Sequence, residues 1–235
     1  IRDYVWPAGN PPVPIVLTAG RVDIVDSTFT GNGSGGTGAA INNVSTGTIS
    51  ILDGTEITLN PGPVVRDPLA DPFEEHPGVV LADGGDYPIG PSAITNMGEF
   101  DEIGTVKIIN SSVTKNTAEE SGAGIQNGGD GIVIVQDSLL EKNRTEASGG
   151  GIYSEGGTVK VEDTLVNDNY ASNGGGLYSG GGTTHFGLRG RFDVIGSVDA
   201  NGVSTTVISN NTAEAHGGGM SSDGDGQVSI EGVKF

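Results

Sequence analysis

Four residues in one stretch of the chain, His185, Arg189, Arg191 and Asp193, unite side-chain types that handle charged sugars, and Phe186 and Phe192 stand beside them. Elimination within an acidic polysaccharide requires a basic group, often arginine, near the substrate's carboxylate, with a cation such as calcium to neutralise it. These four are therefore the candidate ligand-contact residues, on condition that the arginines lie along a groove beside carboxylates. Oxygen ligands for a cation come from acid-glycine turns at Asp83 and Asp86, at Asp130, and at Asp223 and Asp225. Calcium takes six to eight oxygens from carboxylates and carbonyls, so Asp223 and Asp225 are the candidate metal ligands and no cofactor besides calcium is expected. No two of the histidines His76, His185 and His216 share metal-ligand spacing. No cysteine exists to act as thiolate ligand or nucleophile, and no serine and aspartate can be nominated to complete a triad. No catalytic residue is assigned.

Charge removes whole classes of partner. Lys and Arg number 11 against 30 Asp and Glu, a net charge of −19. Nucleic-acid binding needs clustered cations to replace phosphate counterions, and an anionic membrane surface repels the chain for the same reason. No run approaches the roughly 18 apolar residues of a membrane-spanning helix, so no direct membrane span is expected. Glycine accounts for 42 of 235 residues, but without the strict three-residue period of collagen. The GGG strings are not phosphate loops, since no Gly-Lys-Ser/Thr follows them.

What positions the candidate residues is a repeat. GTVKIINSSV from Gly104 is followed by GIVIVQDSLL from Gly131 and GTVKVEDTLV from Gly157, 27 and 26 residues apart. The same frame fits the segments that start at Gly20, Gly47 and Gly226. Each copy alternates apolar and polar positions and predicts one short strand, with Val106 and Ile108, Val133 and Val135, and Val159 and Val161 facing inward. A second element is an apolar-x-x-Asn tetrad ending at Asn32, Asn116, Asn143, Asn169 and Asn211. These asparagines are expected to take the left-handed bend of each turn and to pass amide hydrogen bonds from coil to coil as a structural ladder. A third element is a small-residue run closed by an aliphatic, at Ile41, Ile94, Ile125, Ile152, Leu177 and Met220. A unit of three short strands cannot bury an apolar face alone, so it must stack on its own copies. The sequence predicts an all-β fold: a single right-handed parallel β-helix of about seven coils over 1–235, with loop insertions at about 61–90 and 183–204.

These motifs resemble the right-handed parallel β-helix repeats of bacterial surface and secreted proteins. FTGN at 29–32 looks like the Phe-x-x-Asn motif of the polymorphic outer-membrane autotransporter family, and GAAI and GGGI look like its Gly-Gly-Ala-aliphatic motif. The resemblance spans about 20–235 apart from the insertions and implies a passenger with an adhesin role. The sequence departs from that pattern where Val, Leu or Ile replaces Phe in the other four tetrads, and it carries no translocator barrel. DPFE at 71–74, in the first insertion, is similar to the Asp-Pro-His-acid motif of alginate-epimerase β-helices but lacks the histidine.

The first insertion carries six prolines and reads as a stiffened surface loop of the kind that makes contacts. Asn43, Asn110, Asn143 and Asn210 each head an Asn-x-Ser/Thr sequon, and Asn143 is also a ladder position. Phe235 falls at the repeat position of Phe29 and neither terminus carries an amphipathic cap, which suggests a segment of a longer chain or a unit stacked end to end. The leading expectation is an extracellular or cell-surface structural and adhesion solenoid without catalytic activity, touching protein or glycan through its insertions. The alternatives are a subunit of a filament or larger complex that self-associates through open coil ends, and a polysaccharide lyase or hydrolase of β-helix type.

Overall fold

Alternation after each repeat glycine sends every second side chain to the same face of a strand. In the computed structural model, which describes residues 4–5, 15–17, 20–32, 40–44, 47–58, 92–98, 103–180 and 190–235, that face is the core. Arg21–Val25, Thr48–Leu52, Thr105–Ile109, the second halves of Ile125–Gln136 and Ile152–Glu162, Arg191–Ile195 and Gln227–Glu231 pair side by side, each in parallel with the next. The register stacks Val22, Ile49, Val106, Val133, Val159, Phe192 and Val228 in one column, and Ile24, Ile51, Ile108, Val135, Val161, Val194 and Ile230 in the next. From Val22 to Phe192 and from Ile24 to Val194 these side chains are buried, and each contributes about 1.5–3 kcal/mol relative to exposure.

The small-residue runs lead into a further column: Ile15–Leu17, Ile41–Val44, Ile94–Gly98, the first halves of Ile125–Gln136 and Ile152–Glu162, Leu177–Ser179 and Met220–Ser222, all parallel. Because Ile125–Gln136 and Ile152–Glu162 run unbroken through both columns, the two merge into one sheet of 13 strands among the described residues. The apolar residues of the tetrads form a second sheet of six strands, in which Phe29, Ile57, Val113, Leu140, Val166 and Ile208 stack inward. Thr117–Ala118, Arg144–Thr145, Tyr170–Asn173 and Thr212–His216 make a third sheet of four. No helix occurs among the described residues, and every strand-to-strand pairing between these sheets' members is parallel. Three sheets of parallel strands around one apolar interior are compatible with a parallel β-helix.

Two corners are set by left-handed residues. At the first, Asp26, Asp53, Asn110, Asp137 and Asp163 have φ of 46 to 49°. Asp and Asn are the residues with a side chain that tolerate this conformation best. At the second, the sequence expectation is corrected: the left-handed residue is the one before each ladder asparagine, namely Gly31, Lys115, Lys142, Asp168 and Asn210, with φ of 54 to 66°. The asparagine itself keeps an ordinary backbone, and its side chain is thereby turned inward instead of outward.

The second insertion also differs from expectation. A single loop over 183–204 is interrupted by Arg191–Ile195, which pairs with Thr158–Glu162 on one side and Gln227–Glu231 on the other. Phe192 lies in the column above Val159 and is fully buried. What remains of the insertion is a stretch before Gly190 and a loop between Ile195 and Val207. Phe192→Ala is expected to cost about 3–5 kcal/mol, the usual loss for a buried aromatic. Thermal denaturation checks this, since truncating a loop side chain would cost within about 0.5 kcal/mol. The first insertion, with Asp71 and Glu74, lies outside the described residues.

Candidate functional site

The inward asparagines of the second corner meet one another. Asn116 Nδ2 donates to Asn143 Oδ1 at 2.9 Å, Asn143 Nδ2 to Asn169 Oδ1 at 3.1 Å, and Asn169 Nδ2 to Asn211 Oδ1 at 2.9 Å. Each amide also donates to a backbone carbonyl of the preceding turn: Ile57, Val113, Leu140 and Val166 in order. Each Oδ1 accepts the backbone N–H of the previous asparagine as well, from Asn116, Asn143 and Asn169. Asn32 belongs to the same corner, and the next position in sequence, Asn60 three residues after Ile57, lies outside the described residues.

Two more side-chain ladders are present that the tetrads do not announce. Asn43 Nδ2 donates to Asn96 Oδ1 at 2.8 Å, Asn96 to Asn127 at 2.9 Å, and Asn127 to Ser154 Oγ at 3.3 Å. Each of these stands two residues after the aliphatic that closes a small-residue run, so aliphatic-x-Asn was the available signal. At the first corner, the buried hydroxyls of Thr55, Ser138 and Thr164 accept backbone N–H groups of the preceding turn: Ser27 N–H to Thr55 Oγ1 at 3.4 Å, Ser111 N–H to Ser138 Oγ at 3.2 Å and Ser138 N–H to Thr164 Oγ1 at 3.4 Å. Of these sequon asparagines, Asn43 and Asn143 are fully buried in ladders, whereas Asn110 and Asn210 are exposed at corners; Asn32, which also heads a sequon with Gly33 and Ser34, is half-buried.

The candidate contact residues are split. His185 and Arg189 lie outside the described residues. Arg191 and Asp193 sit two apart on the outer face of their strand, and Arg191 Nε bonds Asp193 Oδ2 at 2.5 Å. Asp193 stands in register with Lys160 and Ser229, and Lys160 Nζ in turn holds Glu162 Oε2 at 2.8 Å. Arg191 is thus neutralised by its own neighbour, whose carboxylate raises its pKa. Asp223 and Asp225 are both exposed; Asp223 Oδ1 accepts the Gly224 N–H at 2.7 Å. Among the described residues no three His, Asp or Glu side chains gather where they could hold a metal ion.

Two tyrosine clusters occupy the outer faces. Tyr153 and Tyr178 are register partners whose rings stack with centroids 5.4 Å apart and planes 8° from parallel. Tyr153 Oη donates to Glu155 Oε2 at 3.2 Å. On the third sheet, the Arg144 guanidinium lies 3.7 Å over the Tyr170 ring, and the Tyr170 hydroxyl donates to Glu214. Burial, first of all, raises the pKa of Tyr153, Tyr170 and Tyr178, and the carboxylates beside them add to it. Asp163 and Asp199 shift down because each accepts hydrogen bonds from a loop. General acid-base catalysis at neutral pH wants the opposite, groups brought toward 7.

Asp163 supplies a pH prediction. Its carboxylate accepts from the Thr205 hydroxyl and the Ser197 N–H, which pins the loop between Ile195 and Val207 and lowers its pKa. A carboxyl lowered in the folded state stabilises above its unfolded value, and that contribution is lost as pH falls through the lowered one. Protection of the Ser197 and Thr205 amides, measured against the intrinsic exchange rate at each pH, is therefore expected to fall in acid before the core columns respond, and Asp163→Asn should abolish that early phase. Compared with protein-family models, curated proteins and solved structures, the chain finds no match.

Proposed function

We propose that the chain is a right-handed parallel β-helix of about seven coils that serves as an extracellular or cell-surface structural and adhesion element without catalytic activity. At ~4.8 Å per coil such a stack is about 30 Å long. Protein or glycan would be met by the 61–90 insertion and by the loops flanking Arg191–Ile195, as in the polymorphic autotransporter passengers that the tetrads resemble. The observation that carries the reading is the unbroken register of side-chain ladders through successive turns, which favours rigidity over a moving active site. No cofactor is required, so the melting temperature should be the same in calcium and in chelator.

The test is to display the full chain on glycan and extracellular-protein arrays and, in parallel, to incubate it with acidic polysaccharides. Binding without release of unsaturated or reducing ends is the expected result. Release of such ends would replace the reading with the lyase or hydrolase, and an empty array would remove the adhesive part.

One observation favours a second reading, assembly through coil faces. Val228 and Ile230 continue the inward columns above Phe192 and Val194, yet are 36% and 46% exposed, and their strand is paired on one side only among the described residues. That edge accepts a further parallel strand, whichever chain supplies it. Concentration-dependent light scattering of the full chain decides whether a second copy does so.

A further inference from the structure

The chain has no cysteine, so no disulfide can tie one turn to the next, but its outer face holds another pair of side chains that oxidation can join. Tyr153 and Tyr178 follow the buried Ile152 and Leu177 and precede the buried Ser154 and Ser179, which points both rings outward from facing positions. Facing positions of adjacent strands lie ~4.8 Å apart, and the near-parallel ring stack at 5.4 Å keeps that spacing out to the phenols. A Cβ built on Gly180 would lie 3.5 Å from both the Tyr153 hydroxyl oxygen and Tyr178 Cε1. Tyr178 Cε1 is the ring carbon beside the one that bears the hydroxyl. Unpaired spin in a phenoxyl radical resides on the oxygen and on such ortho carbons, so the phenol ends of both rings meet beside one glycine.

Each phenol also has a base at hand. Glu155 accepts the Tyr153 hydroxyl at 3.2 Å, and the Asp223 carboxylate lies close enough to the Tyr178 phenol to raise its pKa further beyond the effect of burial. A phenol that hands its proton to a carboxylate as its electron departs avoids the high-energy radical cation.

We propose that Tyr153 and Tyr178 are an oxidative cross-linking site, at which a peroxidase-type oxidant with hydrogen peroxide joins them as a dityrosine between adjacent turns. Each phenol gives up one electron to the oxidant, and its proton leaves by way of Glu155 or Asp223. The two radicals bond Cε to Cε, and each ring hydrogen at the new bond moves to its own oxygen, which restores both phenols. Hydrogen peroxide takes the two electrons and two protons and becomes two waters, so the chain loses two hydrogen atoms overall. Tyr170 provides the contrast within the same fold: its ring is covered by Arg144, not by a second tyrosine.

The experiment treats the dilute full chain with peroxidase and hydrogen peroxide at a dose that couples free tyrosine. The expected product is a monomer lighter by two hydrogens, with dityrosine fluorescence and a peptide pair linked at Tyr153 and Tyr178, fragmentation excluding Tyr170. Tyr178→Phe keeps the ring stack and should reduce the fluorescence to background with an unchanged melting temperature. A treated chain with no dityrosine, a link that persists in Tyr178→Phe, or links that map only to other tyrosines or between molecules would overturn the assignment.

Discussion

Asn143→Ala should destabilise the fold by about 3–5 kcal/mol, since each buried partner left unsatisfied costs about 1–3 kcal/mol and local relaxation recovers part of the sum. Asn143 is fully buried and serves four partners. Its Oδ1 takes the Asn116 N–H and the Asn116 Nδ2, and its Nδ2 serves Val113 O and Asn169 Oδ1. Alanine removes both sides of that exchange in the middle of the ladder. For a chain of this size the melting temperature should fall by about 10 °C. Asn143→Asp keeps the shape but offers Val113 O and Asn169 Oδ1 no donor at neutral pH, and it should be nearly as damaging. Asn201→Ala, on the exposed loop, is the control and should stay within about 0.5 kcal/mol. An unchanged melting temperature in Asn143→Ala would defeat the inward ladder.

Gly150→Ala is expected to be as severe, for a steric reason. A Cβ there would lie 2.5 Å from Gly175 O, 2.5 Å from Tyr170 O and 2.8 Å from Tyr170 N, all backbone atoms of the neighbouring turn. A flexible side chain could swing aside, but these atoms are held by the parallel ladder, with Tyr170 N–H bonded to Asn143 O and Gly175 N–H to Gly217 O. Relief therefore requires the turns to part. Overpacking in a fixed core costs typically about 1–3 kcal/mol and more where the backbone cannot yield. A loss of at least about 3 kcal/mol by denaturant titration is expected, whereas Gly202→Ala meets no atom within 4 Å and carries only the strain of φ +77°.

The strand columns were legible because their chemistry repeats with little change: an aliphatic at every second position after a glycine specifies both face and register. The same frame runs through Gly190, Phe192 and Val194, but an aromatic in the place of an aliphatic, flanked by Arg191 and Asp193, has the composition of a contact loop. Only the pairing with Thr158–Glu162 reveals it as core. The ladder from Asn43 to Asn127 was hidden differently. Its later positions are Ser154, Ser179 and Ser222, since a hydroxyl can accept from an amide and donate to a carbonyl, as Ser154 does to Gly156 O. Amide and hydroxyl therefore interchange without a common residue type. The corners misled because Asn favours the left-handed region on its own, while here Gly31, Lys115, Lys142, Asp168 and Asn210 take it and free the asparagine to turn inward. As to the site, Arg191 and Asp193 were legible as a pair, but that they satisfy each other depends on their sharing one face of a strand. The tyrosine stack needed the coil register, since Tyr153 and Tyr178 become neighbours only when their turns pair.

Successive repeats stack as parallel, in-register turns. Methyl and aromatic NOEs in the isotopically labelled full chain test it most directly. Parallel stacking gives contacts from Val106 to Val133, from Val133 to Val159 and from Val159 to Phe192, with a matching set from Ile108 through Val135 and Val161 to Val194. Contacts in the reverse order, Val106 against Val135 and Ile108 against Val133, would mean antiparallel hairpins and would contradict it.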